Sequence, residues 1–258
     1  FLLKGGRNVK GETVDDQTYV EVDCNGLKKI ALRGIIRISN ELIVPVDNKL
    51  QPIANGYVES EVAIEAEDFN NLLVELKLPA FALTRQIQNK DKGAFIFHPE
   101  RMVLDMSDTN NAPAMVFPQG YDEYLVAGQE SWRGFYIQEL TVTLPEEFKK
   151  TEGRVSLKAT NFLLDAYGFS GSLSADNIIS FKEGRTSEDK KKGWKYAIHH
   201  IQADFVASKL KGGALSGAFR IPIEKDDSRG IHFDGSFSED NYMLRVSSLD
   251  SISFDMWK

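Results

Sequence analysis

The sequence predicts a mainly β, antiparallel fold, either a β-sandwich or a strongly curved sheet with repeated hairpins. Three observations carry this prediction: strand-like alternation recurs from end to end, turn residues separate the alternating runs, and helical spacing is rare. Runs with one apolar and one mostly polar face are typical of antiparallel sheets that pack one face and solvate the other. The chain has 258 residues, enough for a sizeable core.

The alternating runs follow one another along the chain. In the first run, Ile30, Leu32 and Ile36 share one face, while Arg33 and Arg37 lie on the other. Later runs repeat this pattern at 57–64, 140–144, 155–159, 201–207, 242–246 and 252–256. Turn-forming residues lie between the runs, for example at 47–48, 55–56, 152–153, 212–213 and 226–230.

One segment predicts a short helix, over residues 65–76. Its Phe69, Leu72, Leu73 and Leu76 recur at helical spacing, and acidic residues lie near its start. The Leu-Pro pair at 78–79 would end such a helix. The alternative is a strand, because residues 72–78 also alternate.

A glycine recurs at strand-interior positions between two apolar residues, as Gly34, Gly171, Gly217 and Gly235, and more loosely as Gly134. A glycine there permits a bulge or leaves a slot for a bulky neighbouring ring. The segments 161–178 and 204–223 share an order of a Phe-led strand, a glycine-bearing turn and an apolar-Ser-Gly strand. We interpret them as a hairpin that is used twice.

The chain divides best into two sequential β units, 1–125 and 126–258, at the stretch VAGQES. The second unit contains both of the similar hairpins. The chain starts without Met and ends directly after an apolar run, which suggests an excised part of a longer protein.

Composition restricts the partners. A net charge of −7 disfavours broad contact with nucleic-acid phosphates or docking on an anionic membrane. No apolar run is long enough for a transmembrane helix or a signal peptide, so no membrane insertion is expected. Cys24 is the only cysteine, so no intrachain disulfide forms, and both an extracellular and a cytoplasmic location fit.

Enzymatic signatures fail where we tested them. The stretch GRNVKGET at 6–13 has Glu12 where a phosphate-binding loop needs Lys. The stretch GFSGS at 168–172 lacks the final glycine of a nucleophile elbow. His199 and His200 are adjacent, so on a regular strand they point to opposite faces and cannot share a metal. No catalytic residue is therefore predicted.

One oxygen-rich stretch, LDMSDTNNAP at 104–113, is a candidate Ca²⁺ site. Its oxygen-bearing side chains include Asp105, Ser107, Asp108 and Asn110, and Ca²⁺ binds six to eight such oxygens. The spacing departs from the EF-hand loop. The alternative is a turn whose side chains bond their own backbone. No cofactor other than Ca²⁺ is suggested.

An aromatic group is the candidate binding surface. Within 121–136 it contains Tyr121, Tyr124, Trp132 and Tyr136, with Arg133 as a polar contact. Such side chains can stack on a sugar or pack on a protein partner. The alternative is that they complete the core of the following strand.

The first function hypothesis is a non-enzymatic structural or interaction module, part of a larger chain or assembly, with protein partners and a scaffolding, spacing or adhesive role. The second is a carbohydrate-binding or carbohydrate-processing module centred on Trp132. The third is a β groove that holds an apolar ligand, because strands with one apolar face can line an apolar channel.

Overall fold

The computed structural model describes residues 2–4, 18–68, 71–88, 94–113, 115–125, 128–145, 155–185, 193–221 and 230–248. The described residues form fifteen strands and one short α-helix. The strands are β1 (Leu2–Leu3), β2 (Tyr19–Asp23), β3 (Gly26–Ile38), β4 (Ile43–Pro45), β5 (Val58–Asp68), β6 (Asn71–Lys77), β7 (Phe81–Leu83), β8 (Ile96–Asp105), β9 (Gly134–Thr143), β10 (Ser156–Asp165), β11 (Gly168–Arg185), β12 (Lys195–Val206), β13 (Lys209–Arg220), β14 (Ile231–Ser238) and β15 (Tyr242–Ser248), and the helix α1 is Thr84–Gln88.

All fifteen strands belong to one antiparallel sheet. Its main order is β1-β3-β5-β6-β8-β9-β10-β11-β12-β13-β14-β15, while β2 pairs with β3 and β7 bridges β4 and β8. From β8 onward each strand pairs with the next in sequence, because short turns can join antiparallel neighbours. The prediction of a mainly β, antiparallel fold is confirmed. Its form is a single sheet, not a pair of packed sheets.

The helix predicted over 65–76 is wrong, because this segment forms a hairpin of β5 and β6. Ile64 opposes Val74 and Ala66 opposes Leu72 in the antiparallel register. β6 also pairs with β8, where Leu73 opposes Asp105. β6 forms hydrogen bonds with β5 on one edge and with β8 on the other. These tertiary contacts outweigh the local preference for a helix that the spacing of the leucines indicates. Phe69, part of that pattern, lies outside the described residues.

The sheet is continuous across the proposed unit boundary. β8 and β9 pair from Ile96 opposite Thr143 to Asp105 opposite Gly134. The segment between these strands, residues 106–133 where described, contains two short 3-10 turns, Tyr121–Tyr124 and Gln129–Ser131. We call this segment the covering loop. The division into units at 126–131 stays a prediction.

A β-bulge in β10 sets which side chains share a face. Thr160 opposes Ser172, but Leu163 opposes Ser170, so β10 carries one extra residue between them. Asn161 in this bulge has a φ of 48°, the left-handed conformation that asparagine tolerates better than most residues. Because opposed residues share a face, Thr160 and Leu163 lie on the same side of the sheet, three positions apart.

The covering loop packs on one side of the sheet and forms the main core there. We call this side the covered face. Its buried residues are Leu73, Val103, Ala112, Tyr121, Trp132, Tyr136, Leu163 and Val206. A smaller cluster of Val44, Ala82 and Ile96 lies around β4 and β7.

The packing-slot interpretation of the strand glycines holds at Gly217. A Cβ atom at this position would overlap the Ala197 carbonyl oxygen and lie 2.5 Å from Cζ of Phe233. Gly235 differs, because its nearest contact would be at 3.7 Å, an ordinary van der Waals distance. A slot is therefore present at one of these two positions.

Candidate functional site

The side of the sheet opposite the covered face carries two apolar rows across β9–β14. We call the surface that they form the trough. Within each row, every residue opposes the next one across the strand pairs. The first row is Leu140, Ala159, Leu173, Ala203, Gly213 and Phe237, and the second is Val142, Leu157, Ala175, Ile201, Leu215 and Gly235.

The large side chains of the trough are exposed. Leu157, Leu173, Ile201, Leu215 and Phe237 each leave between 37% and 45% of their surface accessible to solvent. Single exposed apolar residues are ordinary, but contiguous apolar patches on soluble proteins usually mark interaction sites. No described segment covers these five residues as the covering loop covers the other face.

The trough is long and open. It encloses a volume of about 920 Å³ and runs from Ile137 and Leu140 on β9 to Phe237 on β14. Five strand intervals of about 4.8 Å make it about 24 Å long. Small residues deepen it, because Ala159 and Ala175 stand between larger neighbours in the rows, and Ala203 is followed by Gly213.

Among the described residues that line the trough, Lys158 is the one charged residue. It opposes Ser174 in the register, so its side chain belongs to the covered side of the sheet. There its Nζ pairs with Oε2 of Glu139 at 2.7 Å. The two rows contain no side chain that can donate or accept a hydrogen bond.

Polar side chains of the same strands point to the covered side, where they bond one another. Asp204 Oδ1 accepts hydrogen bonds from Ser172 and, at 2.8 Å, from Nε2 of Gln202. Asp176 Oδ1 lies 2.6 Å from Nδ1 of His200. The strands are therefore amphipathic, as their alternation predicts.

Three of the aromatic residues predicted as a binding surface are buried between the covering loop and the sheet, Tyr121 and Trp132 on the loop and Tyr136 on β9. Tyr121 and Tyr136 are fully buried and Trp132 is nearly so. Tyr121 Oη donates to Asp165 Oδ2, and Trp132 Nε1 donates to the same oxygen at 2.8 Å. Burial and the hydrogen bond to Asp165 both raise the pKa of the Tyr121 hydroxyl. These groups anchor the loop to β10.

The other two predicted binding residues lie nearer to solvent. The ring of Tyr124 stacks at a tilt between Tyr121 and Tyr167, with centroids 5.6 and 5.1 Å away. Arg133 is exposed and forms an ion pair with Asp108. The structure thus brings the five residues together at the loop, and their binding role stays a prediction.

The predicted Ca²⁺ ligands form a turn at the start of the covering loop. Asp105 Oδ1 accepts a hydrogen bond from the Ser107 amide at 2.9 Å. Ser107 Oγ accepts from the amides of Thr109 and Asn110, at 3.2 and 3.1 Å. Within the described residues, no group of three or more His, Cys, Asp or Glu side chains is placed to hold a metal ion. The Ca²⁺ site stays a prediction.

Asp105 is the most perturbed carboxylate of this turn. It is fully buried, and its Oδ2 makes no hydrogen bond. Burial raises its pKa to about 6, although the amides of Ser107 and Ala112 favour the charged form. Asn110, by contrast, reaches outward, and its Nδ2 donates to Glu67 at 2.9 Å.

The sequence suggests an apolar groove as one alternative, but it predicts no residue of the trough as a binding residue. The signal that could have found it is the repetition of one-faced alternation over consecutive strands. The sequence does not show the pairing register, which decides which apolar residues of neighbouring strands oppose one another.

Comparison of the chain with protein-family models, curated proteins and solved structures returned no significant match. Among the described residues, the structure contains no helix with the length and apolar character needed to span a bilayer.

Proposed function

We propose that the protein is a non-enzymatic β module that binds an apolar partner in its trough. The observation that carries the proposal is the pair of aligned, exposed apolar rows on β9–β14. Burying the remaining surface of each large side chain there would contribute about 1 kcal/mol. The five large side chains together would contribute about 5 kcal/mol toward association.

The arrangement of polar groups supports the non-enzymatic part of the proposal. On the covered side, Asp165, Asp204 and Asp176 each bond a neighbouring side chain of the protein. On the trough side, neither row supplies an acid, a base or a nucleophile. A reacting substrate in the trough would therefore meet no chemical group from these rows.

The carbohydrate alternative gains less support from the geometry. It depends on aromatic rings that stack on a sugar from solvent. Tyr121, Trp132 and Tyr136 are instead buried in the core under the covering loop. Tyr124 and Arg133 remain accessible at its edge.

A matched pair of variants tests the proposed function. Leu173 points into the trough, while its neighbour Ser174 opposes Gln202 on the other side of β11. An uncharged apolar probe, 1-anilinonaphthalene, is titrated into the wild type, Leu173→Glu and Ser174→Glu. A buried carboxylate disfavours apolar contact, so we expect Leu173→Glu to weaken probe binding by about tenfold.

Ser174→Glu is the control and should bind the probe within about twofold of the wild type. Thermal midpoints are measured for all three proteins, so that a loss of fold is recognised. The proposed function is wrong if the wild type does not bind the probe, or if folded Leu173→Glu binds it unchanged.

A further inference from the structure

The dimensions of the trough restrict what can fill it. A volume of about 920 Å³ spread over about 24 Å gives a mean section of about 40 Å². An α-helix with its side chains is about 10–12 Å across and has a section of about 80–110 Å², so most of it would stand outside the trough. One or two extended hydrocarbon chains fill such a section.

The lack of polar groups excludes an extended peptide from the trough. Its backbone N–H and C=O groups would lose water, and the two rows offer them no partner. A second copy of the chain fits poorly as well. Its own trough is equally hollow, so two troughs that face each other leave space unfilled, which close-packed interfaces avoid.

Charge complementarity selects among ligands that carry hydrocarbon chains. The lining offers no free cation, because Lys158 points to the other side and pairs with Glu139. The whole chain carries a net charge of −7. A ligand with a net negative head, such as a fatty acid, would meet a repulsive field and no compensating cation. A head without net charge meets neither penalty.

We propose that the trough holds the acyl chains of a lipid whose head carries no net charge, such as a zwitterionic phospholipid, with the head in solvent at the open side. This inference rests on the proposed function of the trough. The chains lie along the rows, across the strands, over Ala159, Leu173 and Ala203. Cavities of about 300–1,000 Å³ with mostly apolar linings are the usual size for bound small molecules.

The test uses a phosphatidylcholine with a fluorescent acyl chain, kept below the concentration at which it aggregates. The wild type should bind it saturably. Lysophosphatidylcholine should displace it, whereas glycerophosphocholine, the head alone, should not. Palmitate, which has the chain with a charged head, should displace it at least about tenfold less well.

Two variants locate the ligand. Ala203→Phe fills the trough with an uncharged ring and should weaken lipid binding by about tenfold, while Ser174→Glu should change it less than about twofold. Ala203 is partly exposed, so the larger side chain has room on the trough side. Thermal midpoints show whether both variants stay folded, and Leu157→Phe replaces Ala203→Phe if that variant unfolds.

The outcomes separate the two proposals. If the anilinonaphthalene probe binds but the lipid does not, the acyl-chain inference is wrong, while the proposed binding of an apolar partner in the trough stands. If neither binds, both proposals fall. If palmitate matches lysophosphatidylcholine, or if folded Ala203→Phe binds lipid as the wild type does, the argument from charge or from shape is overturned.

Discussion

The two faces of the sheet carry similar apolar side chains in different surroundings. Leu163 on β10 lies on the covered face and is fully buried beneath the covering loop. Leu173 on β11 lies in the trough and is 40% exposed. The loop, anchored by Tyr121 and Trp132 on Asp165, accounts for this difference. The covered face therefore contains a packed core, whereas the trough leaves apolar side chains exposed to solvent.

The matched leucines give the largest expected difference between the faces. Leu163→Ala should lower the free energy of unfolding by about 2–5 kcal/mol, because it leaves a cavity in the core. Leu173→Ala should lower it by less than about 1 kcal/mol, since this side chain is only partly buried. Urea denaturation measures both. Equal losses would contradict the assignment of the core to the covered face.

A second prediction concerns the pH dependence that Asp105 gives to the covered face. Its folded pKa of about 6 lies above its ordinary value of 3.8. The protonated Asp105 carboxyl therefore leaves the free energy of unfolding undiminished below pH 3.8. This free energy decreases as the carboxyl loses its proton, while the pH rises through about 6. The charge of Arg133 lowers the pKa of Asp105, but less than burial raises it.

Between pH 4 and pH 7 the titration of Asp105 should lower the free energy of unfolding by about 2 kcal/mol. The measurement is the difference in unfolding free energy between the wild type and Asp105→Asn, taken at several pH values. Asn does not titrate, so the difference isolates this carboxyl from other acids. If the difference in unfolding free energy does not change with pH across this range, burial does not raise the pKa of Asp105.

A third prediction compares two glycines on adjacent strands. Gly217→Ala should lower the free energy of unfolding by about 1–2 kcal/mol, because its Cβ meets the Ala197 carbonyl and the Phe233 ring. Gly235→Ala should change it by less than about 0.5 kcal/mol, since the new Cβ has room there. Thermal denaturation of the two variants provides the comparison. Equal losses of unfolding free energy in the two variants would contradict the packing-slot interpretation at Gly217.

The strands could be predicted because alternation is a local signal. Leu157 with Ala159, and Ile201 with Ala203, occupy one face as their spacing predicts. The helix at 65–76 failed because the pairing of Leu73 with Asp105 on β8 is not local. The extra residue at Asn161 likewise has no clear signal in the sequence. It changes which residues share a face.

The sites show the same limit. The sequence grouped Tyr121, Trp132 and Tyr136 correctly, as residues near one another, but it left open whether they are exposed. Tyr121 and Trp132 are held by Asp165, a residue 33 positions after Trp132, while Tyr136 donates to Asn161 Oδ1 at 3.0 Å. The trough needs the register of six strands, and no single strand reveals it.

The smallest expected effect concerns Ca²⁺ at the edge of the covered face. A site with a Kd of about 10 μM would stabilise the protein by about 2.7 kcal/mol at 1 mM Ca²⁺, enough to raise the thermal midpoint by several degrees. The predicted ligands Ser107, Asp108 and Asn110 already bond the loop, Arg133 and Glu67. Binding Ca²⁺ would break these interactions.

We therefore expect millimolar Ca²⁺ to shift the midpoint by less than about 1 °C, with Mg²⁺ as the ionic-strength control. A larger shift that is specific to Ca²⁺ and is lost in Asp108→Asn would establish a metal site. It would also mean that the turn rearranges on binding, because in its present geometry Asp108 faces Arg133 and Asn110 faces Glu67. The covered face would then owe part of its stability to an ion, while the trough would not.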